Sequence, residues 1–124
     1  MPVRLRRVYD PPSAEDGERF LVERLWPRGL TKERAHVSGW LKELAPTDEL
    51  RRWFGHEPDR WPEFQQRYRA QLQAPEKREL LRQLAERARS GTITLVFAAR
   101  DTEHNNALAL KEVLEQQAQL ANRQ

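Results

Sequence analysis

Cysteine is absent from this 124-residue sequence. Its absence excludes disulfide frameworks, thiol nucleophiles and cysteine-based zinc sites, and it fits a reducing compartment. Histidine occurs at three distant positions, 36, 56 and 104, which is not a metal-ligand spacing, so we expect no metal site. The glycine-rich phosphate-binding motifs and the Gly-x-Ser-x-Gly elbow are also missing, so we predict no cofactor.

Long apolar runs are lacking as well. No stretch of about 18 apolar residues occurs and no apolar signal segment follows Met1, so we expect no membrane association and a cytoplasmic location. Charge of one sign is not in large excess either, because 22 Lys and Arg face 19 Asp and Glu. Bulk charge therefore gives weak support to nucleic-acid binding, and any anion site has to come from a local cluster.

Three short apolar runs predict strands at residues 3–9, 20–26 and 92–98. The first alternates apolar residues with arginines, which is typical of an edge strand, whereas the last is almost wholly apolar, which is typical of a strand buried on both faces. Between the first two runs, Ser13-x-x-Asp16 predicts one capped turn. A long helical crossover joins the second run to the third, as parallel neighbours require.

Apolar stripes at helical spacing fill the rest of the chain. Thr47 predicts an N-cap, Pro75 a first helical position and Gly91 a helix end. A last amphipathic helix is predicted over residues 107–118. Three tryptophans lie at helical spacing with other apolar residues, and we assign them to the core: Trp40, Trp53 and Trp61.

These elements predict a three-layer α/β fold with a small, mainly parallel sheet flanked by helices. The length indicates one domain over residues 1–124. We expect its last few residues, Leu120 to Gln124, to be disordered.

The carboxyl ends of parallel strands are where open α/β sheets bind ligands. Four cations lie at or beyond the ends of the second and third predicted strands and are expected to converge there: Arg24, Arg28, Lys32 and Arg100. Thr31 and Thr102 are each placed to cap a helix whose first N–H groups point the same way. Arginine forks beside exposed amides are what phosphate or carboxylate recognition needs.

Other polar residues at this edge allow two interpretations each. Trp26 is a core residue or a stacking platform, and Arg24 is a paired strand residue or a ligand contact. Asn105 caps a helix or bonds a ligand. His104, Asp10 and Asp101 are the candidate proton carriers, but His104 also fits a surface or capping role, and the two aspartates are able to pair with the arginines.

Three stretches carry a family resemblance and follow one another in this order: RVYDPPSAEDGERFLVERLWPRGLTKE, WLKELAPTDELRRWFGHEPDRWPEF and TLVFAARDTEHNNALAL. Together they resemble the YeaO-like branch of the domain-of-unknown-function 488 family, from about Val3 to Leu114. The resemblance implies a Rossmann-like α/β fold, and it implies no biochemical function because the family is named for lacking one.

Comparison with the wider family bears on catalysis. Arg24 matches an arginine that recurs after the second strand of the family. Other branches often have a His after the first strand, where this sequence reads Val8-Tyr9-Asp10-Pro11. They also often have a Cys-His-Arg-like triplet after the third strand, where this sequence reads His104-Asn105-Asn106-Ala107. These departures favour binding without catalysis, or a different chemistry.

Three functions therefore stay open. The first, which we favour, is a binding domain for a small phosphate- or carboxylate-bearing ligand such as a nucleotide, using Arg24, Trp26, Arg28, Lys32, Arg100 and Asn105. The second is an enzyme acting on a nucleotide-like substrate, with His104 or Asp10 moving a proton. The third is a nucleic-acid or protein interaction module. The sequence indicates no oligomeric state.

Overall fold

Within residues 3–122 the chain forms a four-stranded parallel sheet and five α-helices. The structure is a computed structural model that describes these residues, with side chains described through residue 117. The strands are β1 (Val3–Arg7), β2 (Glu18–Leu21), β3 (Gly39–Trp40) and β4 (Ile93–Phe97). They lie in the order β1-β4-β2-β3 with every pairing parallel. This confirms the predicted α/β, Rossmann-like fold and places β1 at an edge.

The helices are α1 (Lys32–Ala35), α2 (Asp48–Phe54), α3 (Trp61–Leu72), α4 (Pro75–Ser90) and α5 (Asn106–Asn122). The predicted helix ends are confirmed at three positions. The Thr47 hydroxyl accepts a hydrogen bond from the Leu50 N–H, Pro75 begins α4, and Gly91 follows α4. Among the described helices, none is both long and apolar enough to cross a membrane. The predicted disorder of Leu120 to Gln124 lies outside the residues whose side chains are described.

The two faces of the sheet are covered unequally. Strand side chains alternate between faces, so Phe20, Leu95 and Phe97 pack into a large core with α2 to α5. On the opposite face, Leu21 and Val96 pack with Ala35 of α1 in a much smaller cluster. Because α1 has one turn, the second face is a thin layer built mostly from loops.

A short connection between β1 and β2 completes the thin layer. Ser13 and Asp16 form the predicted capped turn, in which each side chain bonds the backbone of the other. Gly17 then takes φ 62°, and a Cβ there would lie 2.1 Å from the Thr92 carbonyl oxygen, so only glycine fits. The chain crosses β4 in this way without a crossover helix.

The second strand is shorter than predicted and is displaced toward the N-terminus. The apolar run predicts a strand over residues 20–26, but β2 ends at Leu21, and β1 ends at Arg7 rather than Tyr9. One further ladder bond runs from the Val22 N–H to Val96. After it, the Ala98 N–H bonds the side chain of Glu23 at 2.9 Å instead of a backbone carbonyl, so the regular pairing stops.

The prediction that Trp40 is a helical core residue is wrong. Trp40 lies in the two-residue strand β3 and is 38% exposed, and its indole N–H donates to the Glu23 carbonyl. Trp53 and Trp61 are half-buried and pack against the large core, as expected. A two-residue strand has no detectable period, which is why the sequence pattern missed it.

Candidate functional site

A cleft of about 290 Å³ opens at the carboxyl ends of β2 and β4. Its lining comes from the loops after these strands and from the end of α2: residues 23–28, Ala98, Ala99, residues 104–106, Arg51, Phe54 and His56. Tyr9, Pro46 and Phe64 complete it. The cleft therefore lies at the edge where the sequence predicts a ligand.

The topology explains why a crevice forms at this point. The loop after β2 leads to α1 on the thin face, whereas the loop after β4 leads to α5, which packs on the opposite face. Because β2 and β4 are neighbours, their two loops separate where the strands end. Such a switch point is the preferred binding crevice of open parallel sheets.

Two of the four predicted cations line the cleft. Arg24 donates its Nε–H to the Pro46 carbonyl at 3.0 Å, which leaves its two terminal nitrogens without a protein acceptor among the described residues. The Arg28 side chain is exposed, and the Tyr9 hydroxyl donates to the Arg28 carbonyl at 3.2 Å. The Arg24 guanidinium is therefore held by one backbone contact that leaves donors available, whereas at Arg28 the contact holds only the backbone and the exposed guanidinium keeps its donors.

Lys32 and Arg100 do not reach the cleft. Lys32 is the exposed first residue of α1, and Arg100 is exposed in the loop that follows β4. The predicted convergence of four cations is therefore corrected to two. The physical reason is that β2 ends at Leu21, so the long loop that follows carries Lys32 away from the sheet edge.

A half-buried carboxylate, Glu23, lies in the cleft wall together with the arginines. Its Oε1 accepts the Ala98 N–H at 2.9 Å. Burial raises the pKa of the Glu23 carboxyl above its ordinary value, and the Ala98 N–H, Arg51 and His56 offset only part of that rise. The side chain thus carries a desolvation cost that protein contacts do not fully compensate.

The candidate acid–base pair is formed by His104 and Asp101. Their side chains meet at 2.9 Å between Nδ1 and Oδ2, and the Trp61 and His104 rings pack in a T-shaped arrangement with 5.5 Å between centroids. Hydrogen bonds from the Glu103 N–H and the His104 ring lower the pKa of Asp101. His104 lines the cleft but Asp101 does not, so Asp101 orients the imidazole from behind.

Asn105 acts as the N-cap of α5 rather than Thr102. Its Oδ1 accepts the Leu108 N–H at 2.9 Å and its Nδ2 donates to the Asp101 carbonyl at 3.0 Å. The cap predicted at Thr102 is therefore wrong, because the loop continues past it before the helix begins. Asn106 donates its side-chain amide to the Val22 carbonyl, which fixes the start of α5 against the end of β2.

Trp26 lines the cleft and also packs against the smaller apolar cluster around Leu21, Ala35 and Val96. Its indole N–H donates to the Leu30 carbonyl at 2.6 Å. This closes the Trp-Pro-Arg-Gly turn, in which Gly29 takes φ 71°. Thr31 then caps α1 as predicted, accepting the Arg34 N–H.

Asp10, the other candidate proton carrier, lies outside this cleft. It adjoins Arg4, Arg6 and Arg7 in a separate surface depression beside β1. Its position follows from the early end of β1 at Arg7, which leaves Asp10 in the turn beyond the strand. Asp10 therefore has no contact with the cleft through which to act on a ligand held there.

Sequence reasoning missed the contribution of α2 to the cleft. Arg51 and His56 line it, whereas the sequence pattern indicates only a helix end at His56. The sequence carries little indication that Arg51 and His56 line the cleft, because α2 reaches the cleft by packing against the sheet and does not directly follow a strand. Within the described part of the chain, no group of three His, Asp or Glu side chains is arranged to hold a metal ion.

Comparisons with known proteins give the chain a family. Residues 2–124 match the family model DUF488-N3i, described as the inactive DUF488-N3 subclade. The uncharacterized protein YeaO of Escherichia coli K12 is 39% identical over 114 residues, covering 92% of this chain and 97% of YeaO. The uncharacterized protein Rv3073c of Mycobacterium tuberculosis H37Rv is 38% identical over 112 residues, covering 90% and 92%.

No solved structure matches the chain. The full-length family match and the two relatives nevertheless agree with the resemblance noted from the sequence motifs. The chain belongs to the DUF488 family, in the subclade described as inactive.

Proposed function

We propose that the cleft after β2 binds a small anionic ligand, phosphate- or carboxylate-bearing and nucleotide-like, without transforming it. The observation that carries the proposal is the pair Arg24 and Arg28, whose guanidinium groups keep unused donors at a topological switch point. The described part of the chain contributes three arginines and a single carboxylate to the lining, so the electrostatic balance of the cleft favours an anion. We further propose that the protein acts in the cytoplasm.

The start of α5 adds to the support. Asn105 and Asn106 line the cleft, and the first N–H groups of a helix have no intrahelical partner. Residues 106–122 are long enough for the helix dipole to favour negative charge at this end. The arginines and the helix start therefore attract the same kind of group.

A thermal-shift panel of nucleoside monophosphates, sugar phosphates and small carboxylates tests the proposal. We expect at least one compound to raise the melting temperature, with its affinity then measured by calorimetry. The Arg28→Ala variant should bind about tenfold or more weakly, since a hydrogen bond to a charged group contributes roughly 1.5–3 kcal/mol. Arg34→Ala is the matched control, because Arg34 is exposed on α1 and outside the cleft.

Two results would contradict the proposal that the cleft binds an anion. One is the absence of any shift across the whole panel. The other is an affinity that Arg28→Ala leaves unchanged or that Arg34→Ala reduces equally. Binding to random RNA or DNA that weakens steeply with salt would instead favour the nucleic-acid interaction module.

An enzyme is the second candidate, favoured by the His104–Asp101 pair at the cleft wall. The description of the subclade as inactive speaks against it. Mass spectrometry of each bound compound after long incubation separates the two. Intact ligand supports pure binding, whereas turnover lost in His104→Ala with binding retained supports an enzyme.

A further inference from the structure

Among the described residues, Glu23 is the one acidic side chain in the cleft lining, and its hydrogen-bonding capacity is only partly used. The Ala98 N–H donates a hydrogen bond to Oε1 of Glu23. Among the described residues, the fully buried side-chain atoms without a partner are Arg6 Nε, Asp16 Oδ1 and Arg19 Nε. The second Glu23 oxygen is not one of them, and no described residue donates to it, so it keeps accessible surface on a side chain that lines the cleft.

The nearest cations do not neutralise this carboxylate by direct pairing. The Arg51 guanidinium forms an ion pair with Asp48, with 3.1 Å between Nη2 and Oδ1. Among the described residues, no ion pair within 4.0 Å involves Glu23. A half-buried carboxylate without an ion-pair partner costs folding free energy. Groups of this kind, lying in a cleft with a raised pKa, are typical of functional sites.

A ligand in this cleft therefore meets an acceptor and several donors together. Arg24 and Arg28 offer N–H donors to an anionic group, whereas Glu23 offers only lone pairs. A plain anion would be repelled by Glu23 and would leave it unsatisfied. A ligand that carries an N–H group as well as its anion satisfies both parts.

We propose that Glu23 selects ligands that carry an N–H hydrogen-bond donor in addition to their anionic group, the combination found in amino-substituted nucleoside monophosphates. This inference rests on the proposed function and names the ligand class for the same cleft. The cleft volume of about 290 Å³ is near the lower limit for small-molecule sites, which suits a mononucleotide rather than a dinucleotide.

Two ligand pairs that differ by one amino group test the inference by calorimetry. AMP is compared with purine riboside 5′-monophosphate, which lacks the 6-amino group, and CMP is compared with pyrimidin-2-one riboside 5′-monophosphate, which lacks the 4-amino group, so that neither comparison base keeps an N–H donor. We expect the wild-type protein to prefer the amino-bearing member of at least one pair by about tenfold, the effect of one hydrogen bond to a charged acceptor.

The Glu23→Gln variant makes the test specific. Its amide oxygen replaces Oε1 as acceptor of the Ala98 N–H, so its NH₂ group faces the cleft and turns an acceptor into a donor. The preference for the amino-bearing ligand should therefore vanish or reverse. Glu43→Gln is the control, because Glu43 is exposed and outside the cleft lining, and it should keep the wild-type preference.

The outcomes separate this inference from the proposed function. If both members of each pair bind equally and Arg28→Ala weakens them, the role of Glu23 is refuted and the anion site stands. A preference that persists in Glu23→Gln also refutes it. If none of the four nucleotides or other anions binds, both proposals fail.

Discussion

Two carboxylates stand at opposite ends of the same strand, Asp16 before β2 and Glu23 after it, and the protein treats them differently. Asp16 is completely buried and bonds Arg19 at 2.7 Å. Glu23 is half-buried, has one backbone donor and, among the described residues, has no direct ion pair. Asp16 therefore stabilises the fold through its ion pair, whereas Glu23 remains able to accept a hydrogen bond from a ligand in the cleft.

Asp16 is held by charges and hydrogen bonds from several directions, although its Oδ1 makes no hydrogen bond to a described residue. It accepts the Ser13 N–H at 3.1 Å, and the guanidinium groups of Arg4 and Arg6 lie 3.7 and 3.9 Å from its second oxygen. Burial alone would raise the pKa of Asp16, but the bonds from Arg19 and Ser13 and the charge of Arg6 outweigh it, so the pKa lies below its ordinary value.

The difference between the two pKa directions has a functional meaning. A lowered pKa means that the folded protein favours the charged form of Asp16, so the charge stabilises the fold. A raised pKa means that the fold disfavours the charged form of Glu23. Binding residues often keep such a stability cost because a ligand, rather than the protein, completes their contacts.

The largest expected effect comes from Asp16→Asn. This change leaves the Arg19 guanidinium, 3% exposed, buried without its counter-ion. Breaking a buried ion pair from one side costs about 3–5 kcal/mol, so chemical denaturation should show a loss in that range. Glu15→Gln is the control, since Glu15 is an exposed partner of Arg4 and its loss should cost under about 1 kcal/mol. A small, equal loss in both variants would contradict the structural role of Asp16.

Glu23→Gln should act in the opposite direction and raise the free energy of unfolding at neutral pH. The folded pKa of Glu23 is raised above 4.5, so the cost of its charge is fully present above the folded pKa and disappears below about pH 4.5. Denaturation curves from pH 7 to pH 4 should show the stability gain shrinking to zero as the pH falls. A variant that is less stable than wild type at pH 7 would show that Glu23 holds the fold.

The pH dependence of Asp16 should have the reverse sign. Its folded pKa lies below 3.8, so its stabilising contribution is present above pH 3.8 and is lost as the pH falls through the folded pKa. The stability difference between wild type and Asp16→Asn should therefore narrow only in strong acid. A difference that is constant at every pH would point to packing rather than charge.

The smallest effect on stability should come from Arg28→Ala. Its side chain is exposed and makes no bond to another described residue, so the free energy of unfolding should change by less than about 0.5 kcal/mol. Denaturation alongside wild type checks this. A larger loss would mean that Arg28 supports the loop after β2 and that its binding phenotype needs a second interpretation.

Some residues near the strand ends are predictable from the sequence. The end of an apolar run and the rule for parallel sheets together place Arg24, Arg28 and His104 at the cleft. The turn Ser13-x-x-Asp16 is likewise local, because its capping bonds join residues three apart.

What depends on long-range geometry is not predictable in this way. Arg51 reaches the cleft only because α2 packs across the sheet, and no local pattern reports that packing. Lys32 lies outside the cleft because β2 ends early at Leu21, and Arg100 is exposed in the loop after β4. No local pattern reports the path of either loop. Asp16 and Glu23 look alike in the sequence, and only their surroundings in the folded chain distinguish them.

The most direct test of the central claim, that the cleft after β2 binds an anionic ligand, is an NMR titration of ¹⁵N-labelled protein with AMP at constant salt. Saturable amide shifts are predicted at Arg24, Ala98 and Asn106, with Arg4 and Arg19 unaffected. Shifts centred on Arg4 and Arg6, or no shifts at millimolar AMP and with the other anions of the panel, would contradict the claim.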